Sequence, residues 1–239
     1  MKSAPRFRIV LLTTFVCAVA CAVRPHEVPR APAASIAQAT AKVAAPPKLL
    51  VSCTIDQLAQ WVFDDAAPFF AADGGFARLA RDGVTFRACA YVHACTETGP
   101  GHATIGTGAP AAVHGIVRNQ WWASELGAKL YCAADPSVAA LPALPEGAGL
   151  GPAQLRAPTF AAALKAAVPE ARVASVSWKD RSAILTVGAA ADTAAWFDAK
   201  TGNLVTNTAY ADAVPAWLAT FNERRAIDSF FAANWDRTG

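Results

Sequence analysis

Histidine is scarce in this sequence and gives out early. Only four occur among 239 residues, His26, His93, His102 and His114, and none follows the last of them. A centre built wholly on imidazole therefore has no donor in the second half of the chain. Charge is thin as well: charged residues make up 16%, and the net charge of +3 comes without any block of like sign. That excludes a polybasic surface, so no nucleic-acid partner is expected. The roughly 18 consecutive apolar residues of a membrane-crossing helix are missing too, so no membrane span is expected. No CxxC pair occurs, and although Cys89, His93 and Cys95 crowd together, no spaced second half follows them. A zinc knuckle is accordingly the minor reading of that cluster.

What is plentiful is apolar material, 54% of residues, enough for the core of one large domain or one and a half. The first residues carry Lys2, Arg6 and Arg8, then an apolar run from Ile9, then small residues at Ala18, Ala20 and Cys21. This is the layout of a secretory signal peptide, expected over residues 1–23, and it implies a secreted or periplasmic protein. Cys21 follows "AVA", similar to a lipoprotein cleavage box with Ala18 at the usual leucine position; a lipid anchor at Cys21 is the lesser alternative to simple cleavage. Residues 24–47 form a Pro/Ala-rich stretch without apolar periodicity, read as a linker. Residues 48–239 are left for the folded domain. Its cysteines, Cys53, Cys89, Cys95 and Cys132, allow three disulfide pairings, between which sequence does not choose.

Within that domain "KLLVSCTID" (48–56) is a short apolar run closed by an acid, as in a buried parallel strand presenting Asp56 at its carboxyl end. A helix over "GGFARLARDG" and a second strand over "VTFRACA" follow. "TFAAALKAAVPEARVASVSW" predicts a helix capped by Thr159 and ended near Pro169, then a strand. Strands alternating with helices predict an α/β fold with a mostly parallel sheet covered on both faces. Ligands of such sheets lie outside the carboxyl ends of the strands.

Three segments carry candidate chemistry. In "TETGPGHATIGTG" (96–108), Gly99-Pro100-Gly101 stops any incoming strand, and Pro100 suits the first turn of a helix. Thr98 then sits at the helix mouth, where free N–H groups and the dipole favour an anion; alone it reads first as a cap. A threonine hydroxyl needs a base or a metal to act as a nucleophile, and Asp56 suits metal activation. Asn119, in "VHGIVRNQWW", is a turn residue or a neutral donor. Lys179 and Arg181, in "SWKDRSAI", are two apart and share one side if that segment is extended, with Asp180 opposite. They are either an exposed basic edge or a clamp for a doubly charged phosphoryl group.

Together "TETGPGHATIGTGAPAAVHGIVRNQWW", "SWKDRSAI" and "ADTAAWFDAKTGNLVT" resemble the alkaline phosphatase superfamily. The likeness is to the branch of type I phosphodiesterase/nucleotide pyrophosphatases, nearest to PafA-type single-chain alkaline phosphatases, and it runs from about Lys48 onward. It implies an alkaline-phosphatase-like α/β/α sandwich. It also implies a zinc-dependent phosphate monoester hydrolase acting through a phospho-threonine intermediate, with small-molecule phosphate esters as substrates. Carried over by this resemblance, Thr98 is the nucleophile and a zinc ligand, and Asp56 is a zinc ligand. Asn119, Lys179 and Arg181 bind the phosphoryl oxygens, and His102 and His114, which match family positions but are not family zinc ligands, either pack or support the site residues from behind. A phosphodiesterase or nucleotide pyrophosphatase on the same scaffold, and a non-catalytic truncated remnant, are the alternatives.

The family's two-zinc site takes two further Asp and three His from later in the chain, and no histidine follows His114 here. Ala189 also stands where relatives carry a histidine. These 239 residues are thus expected to be the amino-terminal part of a longer enzyme, incomplete at the C-terminus and inactive alone, with sheet edges and apolar surface uncovered.

Overall fold

The computed structural model describes residues 48–86, 89–91, 93–144, 149–230 and 233–234. The expected signal peptide, the linker and Cys21 lie outside them. The chain divides into two units, Met1–Thr54 and Ile55–Gly239. In the first, described residues 48–54 contain no helix or strand, and Leu49, Leu50 and Val51 are exposed.

The strand expected over residues 48–56 is therefore not formed, and neither is the one expected over "VTFRACA", whose Val84 and Phe86 are 80% and 76% exposed. The physical reason is the same for both. An apolar run becomes a strand only when a neighbour takes up its backbone N–H and C=O groups, and none of the described strands pairs with either segment.

The second unit begins with two helices, α1 (Gln60–Ala66) and α2 (Gly75–Asp82). They are held by a triplet of rings, Phe63, Phe70 and Phe76, with centroids 4.6–5.4 Å apart. Next come α3 (Thr98–Thr107) and the single turn α4 (Ala111–His114), each ended by a glycine at positive φ, Gly108 and Gly115. An antiparallel hairpin follows, β1 (Gln120–Ala123) with β2 (Ala128–Tyr131), turning at Gly127.

The remaining elements are β3 (Ala140–Leu141), α5 (Phe160–Ala167), β4 (Ala174–Ser177), α6 (Asp180–Val187), β5 (Thr193–Asp198), β6 (Asn203–Asn207) and α7 (Ala216–Glu223). They build a four-stranded sheet of order β3-β6-β5-β4. Its β4–β5 pair is parallel, as expected of a βαβ unit, while β5–β6 and β6–β3 are antiparallel. The mostly parallel sheet is thus represented among the described residues by one pair. Alternation along the strands clothes both faces. Ala194, Trp196 and Val205 pack with Ala183 and Ile184 of α6, while Ala195 and Leu204 pack with Leu218 of α7. Fully buried side chains such as Ile184 and Leu218 each contribute about 1.5–3 kcal/mol.

Helix α3 lies against α6 at unusually short range. A Cβ at Gly106 would stand 2.3 Å from the Thr186 carbonyl oxygen, so only glycine lets the two backbones approach this closely. A small core of Ala103, Ile116, Cys132 and Leu185 fills the space beside this contact. Helix α6 is thereby wedged between α3 and the sheet, and the amino-terminal ends of α3 and α6 become the two halves of a site.

Candidate functional site

Thr98 is the first residue of α3, with Glu97 in the capping position before it. Pro100 falls in the first turn, where its missing N–H leaves no intrahelical bond unmade. The capping reading of Thr98 does not hold. Its hydroxyl points away from the helix and donates to Asp56 Oδ2 at 3.1 Å, across 42 residues of chain. The same carboxylate oxygen lies 3.7 Å from Lys179 Nζ, and both charged side chains are 38% exposed. An alcohol, an acid and a cation thus meet at a helix mouth open to solvent.

Asn119 stands just before β1, and its Oδ1 accepts the Gly99 N–H at 2.7 Å. That bond commits the amide oxygen to the backbone beside Thr98 and leaves the NH₂ group for another acceptor. Glu97 fixes the segment from behind. Its Oε2 accepts the Asn119 N–H at 2.6 Å, and its Oε1 accepts Nε and Nη2 of Arg118 at 2.9 and 2.5 Å. The Asn119 N–H, followed by Arg118, holds the Glu97 carboxyl below its ordinary range. Gly99 is needed here, because a Cβ would sit 3.0 Å from Cys132 Sγ and 3.1 Å from Asn119 Oδ1.

Lys179 and Arg181 differ from expectation in one respect. They do not share one side of an extended segment, because the chain turns into α6 at Asp180, with Lys179 extended in the capping position and Arg181 in the first turn. The cause is local: Asp180 Oδ1 accepts the Arg181 N–H, an acid bonding into the first helical turn. Arg181 Nη1 donates to the Tyr131 hydroxyl at 3.0 Å, and that hydroxyl donates to Asp180 Oδ1 at 2.6 Å. Arg181 Nε is buried with no hydrogen-bond partner. A buried cationic donor left unpaired is costly, and an anion's oxygen would satisfy it.

His102 and His114 behave as packing residues. His102 Nδ1 donates to the Thr98 carbonyl at 2.9 Å. Fully buried His114 accepts the Ile116 N–H on Nδ1 and faces Thr104 Oγ1 with Nε2 at 3.1 Å. Four residues escaped the reading of the sequence as site components: Glu97, Arg118, Tyr131, and Asp180 in its helix-opening role. Glu97 had a signal in its place beside Thr98, and Tyr131 had one in the turn "SELG" that folds β2 back onto the residues after Asn119.

Asp56 and Thr98 supply two hard oxygen donors of a kind zinc accepts. Among the described residues, however, no three His, Cys, Asp or Glu side chains gather as a metal would require. The described residues therefore do not make a zinc site by themselves.

Known proteins resemble this chain in sequence and fold. Residues 50–237 match the family described as type I phosphodiesterase / nucleotide pyrophosphatase. The chain is 35% identical over 193 residues to alkaline phosphatase PhoV of Synechococcus elongatus, covering 80% of this chain and 34% of that protein. It superposes on the crystal structure of wild-type alkaline phosphatase PafA with a TM-score of 0.68 and 29% identity, over 74% of this chain and 34% of the other. A second PafA crystal structure, a variant with a threonine, an asparagine, a lysine and an arginine substituted in that chain order, gives a TM-score of 0.70 at 28% identity, again over 74% and 34%. The threonine–asparagine and lysine–arginine separations in that variant, 21 and two residues, are those of Thr98, Asn119, Lys179 and Arg181 here. The chain spans about a third of the length of these relatives. With its family match running through almost the whole of the domain, it belongs to the type I phosphodiesterase / nucleotide pyrophosphatase family, as a PafA-like member of the alkaline phosphatase superfamily.

Proposed function

We propose that the whole protein hydrolyses phosphate monoesters of small molecules, with Thr98 as the nucleophile. The observation that carries this reading is the meeting of Thr98 Oγ1 with Asp56 Oδ2 at 3.1 Å, beside Lys179 Nζ, at the positive end of α3. Thr98 Oγ attacks phosphorus in line, the ester P–O bond breaks, and the alcohol departs. Water then splits the phospho-threonine, restoring the hydroxyl and releasing phosphate. Lys179, the free Nε of Arg181 and the Asn119 amide are the donors assigned to the phosphoryl oxygens, worth most where charge builds in the transition state.

Two zinc ions are the cofactor proposed for the whole protein. Asp56 and Thr98 would supply donors to one of them, which would there lower the cost of deprotonating the Thr98 hydroxyl, and further ligands would have to come from outside the described residues. Export under a signal peptide at residues 1–23 completes the proposal; among the described residues no helix is long and apolar enough to cross a membrane.

The test uses the full-length gene product with a nitrophenyl phosphate monoester and its methyl diester. Faster monoester turnover, with a phosphorylated Thr98 trapped at low pH and seen by mass spectrometry, is the expected result. Undiminished turnover by Thr98→Ala would remove the nucleophile from the account.

A further inference from the structure

Arg181 and Asp180 are neighbours of opposite charge, yet they do not form a close pair. Arg181 Nη1 lies 4.0 Å from Asp180 Oδ1, and the Tyr131 hydroxyl bridges the two from one side, accepting from the guanidinium and donating to the carboxylate. A direct two-pronged Arg–carboxylate pair would use up one edge of the guanidinium and cancel its charge at contact range. With the hydroxyl bridging the two groups, Nη1 is held by a neutral partner, the carboxylate makes no close contact with it, and Nε is left buried and unpartnered. Asp180 is itself occupied by the Arg181 N–H and by the Tyr131 proton.

The tyrosine also ties this arginine to the opposite half of the site. Tyr131 ends β2, where it is the ladder partner of Gln120, the residue directly after Asn119. The next residue, Cys132, donates its N–H to the Asn119 carbonyl at 3.0 Å. Asn119 and Tyr131 are therefore fixed on the same end of one hairpin, and a single hydroxyl carries that rigidity to α6.

We propose that Tyr131 is a positioning residue for ester selectivity: it holds Arg181 with its Nε edge free for the extra charged oxygen of a phosphate monoester, and in register with Asn119. This rests on the phosphomonoesterase reading above. A diester, with one charge fewer on its phosphoryl oxygens, draws less on this arginine. Burial, then the Asp180 charge, pushes the phenol well above its ordinary range, so the hydroxyl stays a donor to Asp180 at any working pH.

The experiment measures kcat/KM of full-length protein for nitrophenyl phosphate and for its methyl diester, and the Kd of inorganic phosphate. Tyr131→Phe is expected to lower monoester kcat/KM about tenfold and to weaken phosphate binding by a similar factor, as for the loss of a hydrogen bond to a charged group, with diester turnover changed less than about twofold. In an Arg181→Ala background the same substitution should add nothing. Asp180→Asn, which keeps the ring in place but weakens the acceptor of its proton, should shift the monoester-to-diester ratio in the same direction. Equal losses on both esters, or a full additional loss in the Arg181→Ala background, would overturn the assignment. If the unaltered protein turned over neither ester, the phosphatase reading would fail on its own, and phosphate binding would still decide the role of Tyr131: unchanged affinity in Tyr131→Phe refutes it.

Discussion

A methyl group added at Gly106 would stand 2.3 Å from the Thr186 carbonyl oxygen and 2.8 Å from that of Leu185, against an ordinary contact of 3.4–4 Å. Both obstacles are backbone on the facing helix, so no side chain can swing aside, and α3 and α6 would have to separate by about 1 Å. Overpacking of a tight interior costs about 1–3 kcal/mol, more when backbone must move, while glycine to alanine within a helix returns about 1 kcal/mol. The net expectation for Gly106→Ala is a loss of about 2 kcal/mol. Two other glycines of the same helix calibrate the argument. A Cβ at Gly101 meets nothing within 4 Å, so Gly101→Ala should be neutral or stabilising by up to about 1 kcal/mol. A Cβ at Gly99 would meet Cys132 Sγ at 3.0 Å, Asn119 Oδ1 at 3.1 Å and, at ordinary contact range, the Arg118 carbonyl oxygen at 3.5 Å, so Gly99→Ala should cost an intermediate amount, about 1 kcal/mol, displace the Asn119 amide and weaken phosphate binding. Urea unfolding followed by circular dichroism gives the order directly, provided the slopes agree. If Gly106→Ala proved as stable as Gly101→Ala, the close contact that aligns the two halves of the site would be refuted.

Arg181→Ala in the full-length protein should reduce monoester kcat/KM by at least tenfold more than diester kcat/KM, at about 1.4 kcal/mol per factor of ten; equal losses would remove the basis of monoester selectivity. Asp192 accepts the Val173 N–H and pairs with Lys165 and Arg172, which together hold its carboxyl at about 2, below its ordinary 3.8. Its contribution is therefore complete above about pH 4 and is lost as pH falls towards 2; after solvent screening it amounts to about 1–2 kcal/mol, and Asp192→Asn should flatten acid unfolding in that window. His114 has its pKa lowered, first by burial and then by His93. The unfolded chain therefore binds the proton more readily, and stability should decline as pH drops below about 6.5, a slope that urea midpoints would show and that His114→Gln should remove.

The reach of the sequence differed from segment to segment for identifiable reasons. Thr98 was legible because the Gly-Pro-Gly breaker marks a helix mouth, whereas Asp56 was singled out as the end of a strand that is not formed, and Asn119 precedes β1 instead of ending an extended segment. Lys179 and Arg181 were legible as a pair, but Asp180, which reads as a residue facing the other way on a strand, opens a helix. Residues 48–54 and 84–86 have strand chemistry without strand structure, since pairing is a property of two segments and sequence displays one. Tyr131 and Glu97 carried only local signals, a hairpin turn and a place beside Thr98, because their importance lies in what they hold, Arg181 and Asn119, 50 and 22 residues away.

Cys132, sealed beside Gly99 in the small core next to the site, has its thiol pushed up to about 12 by burial, whereas Cys53 and Cys89 are exposed. A disulfide reagent should consume the exposed pair at once and reach the sealed sulfur only when α3 lifts off the hairpin. The slow phase of such labelling would serve as a built-in clock for how often the candidate site breathes, read without any substrate at all.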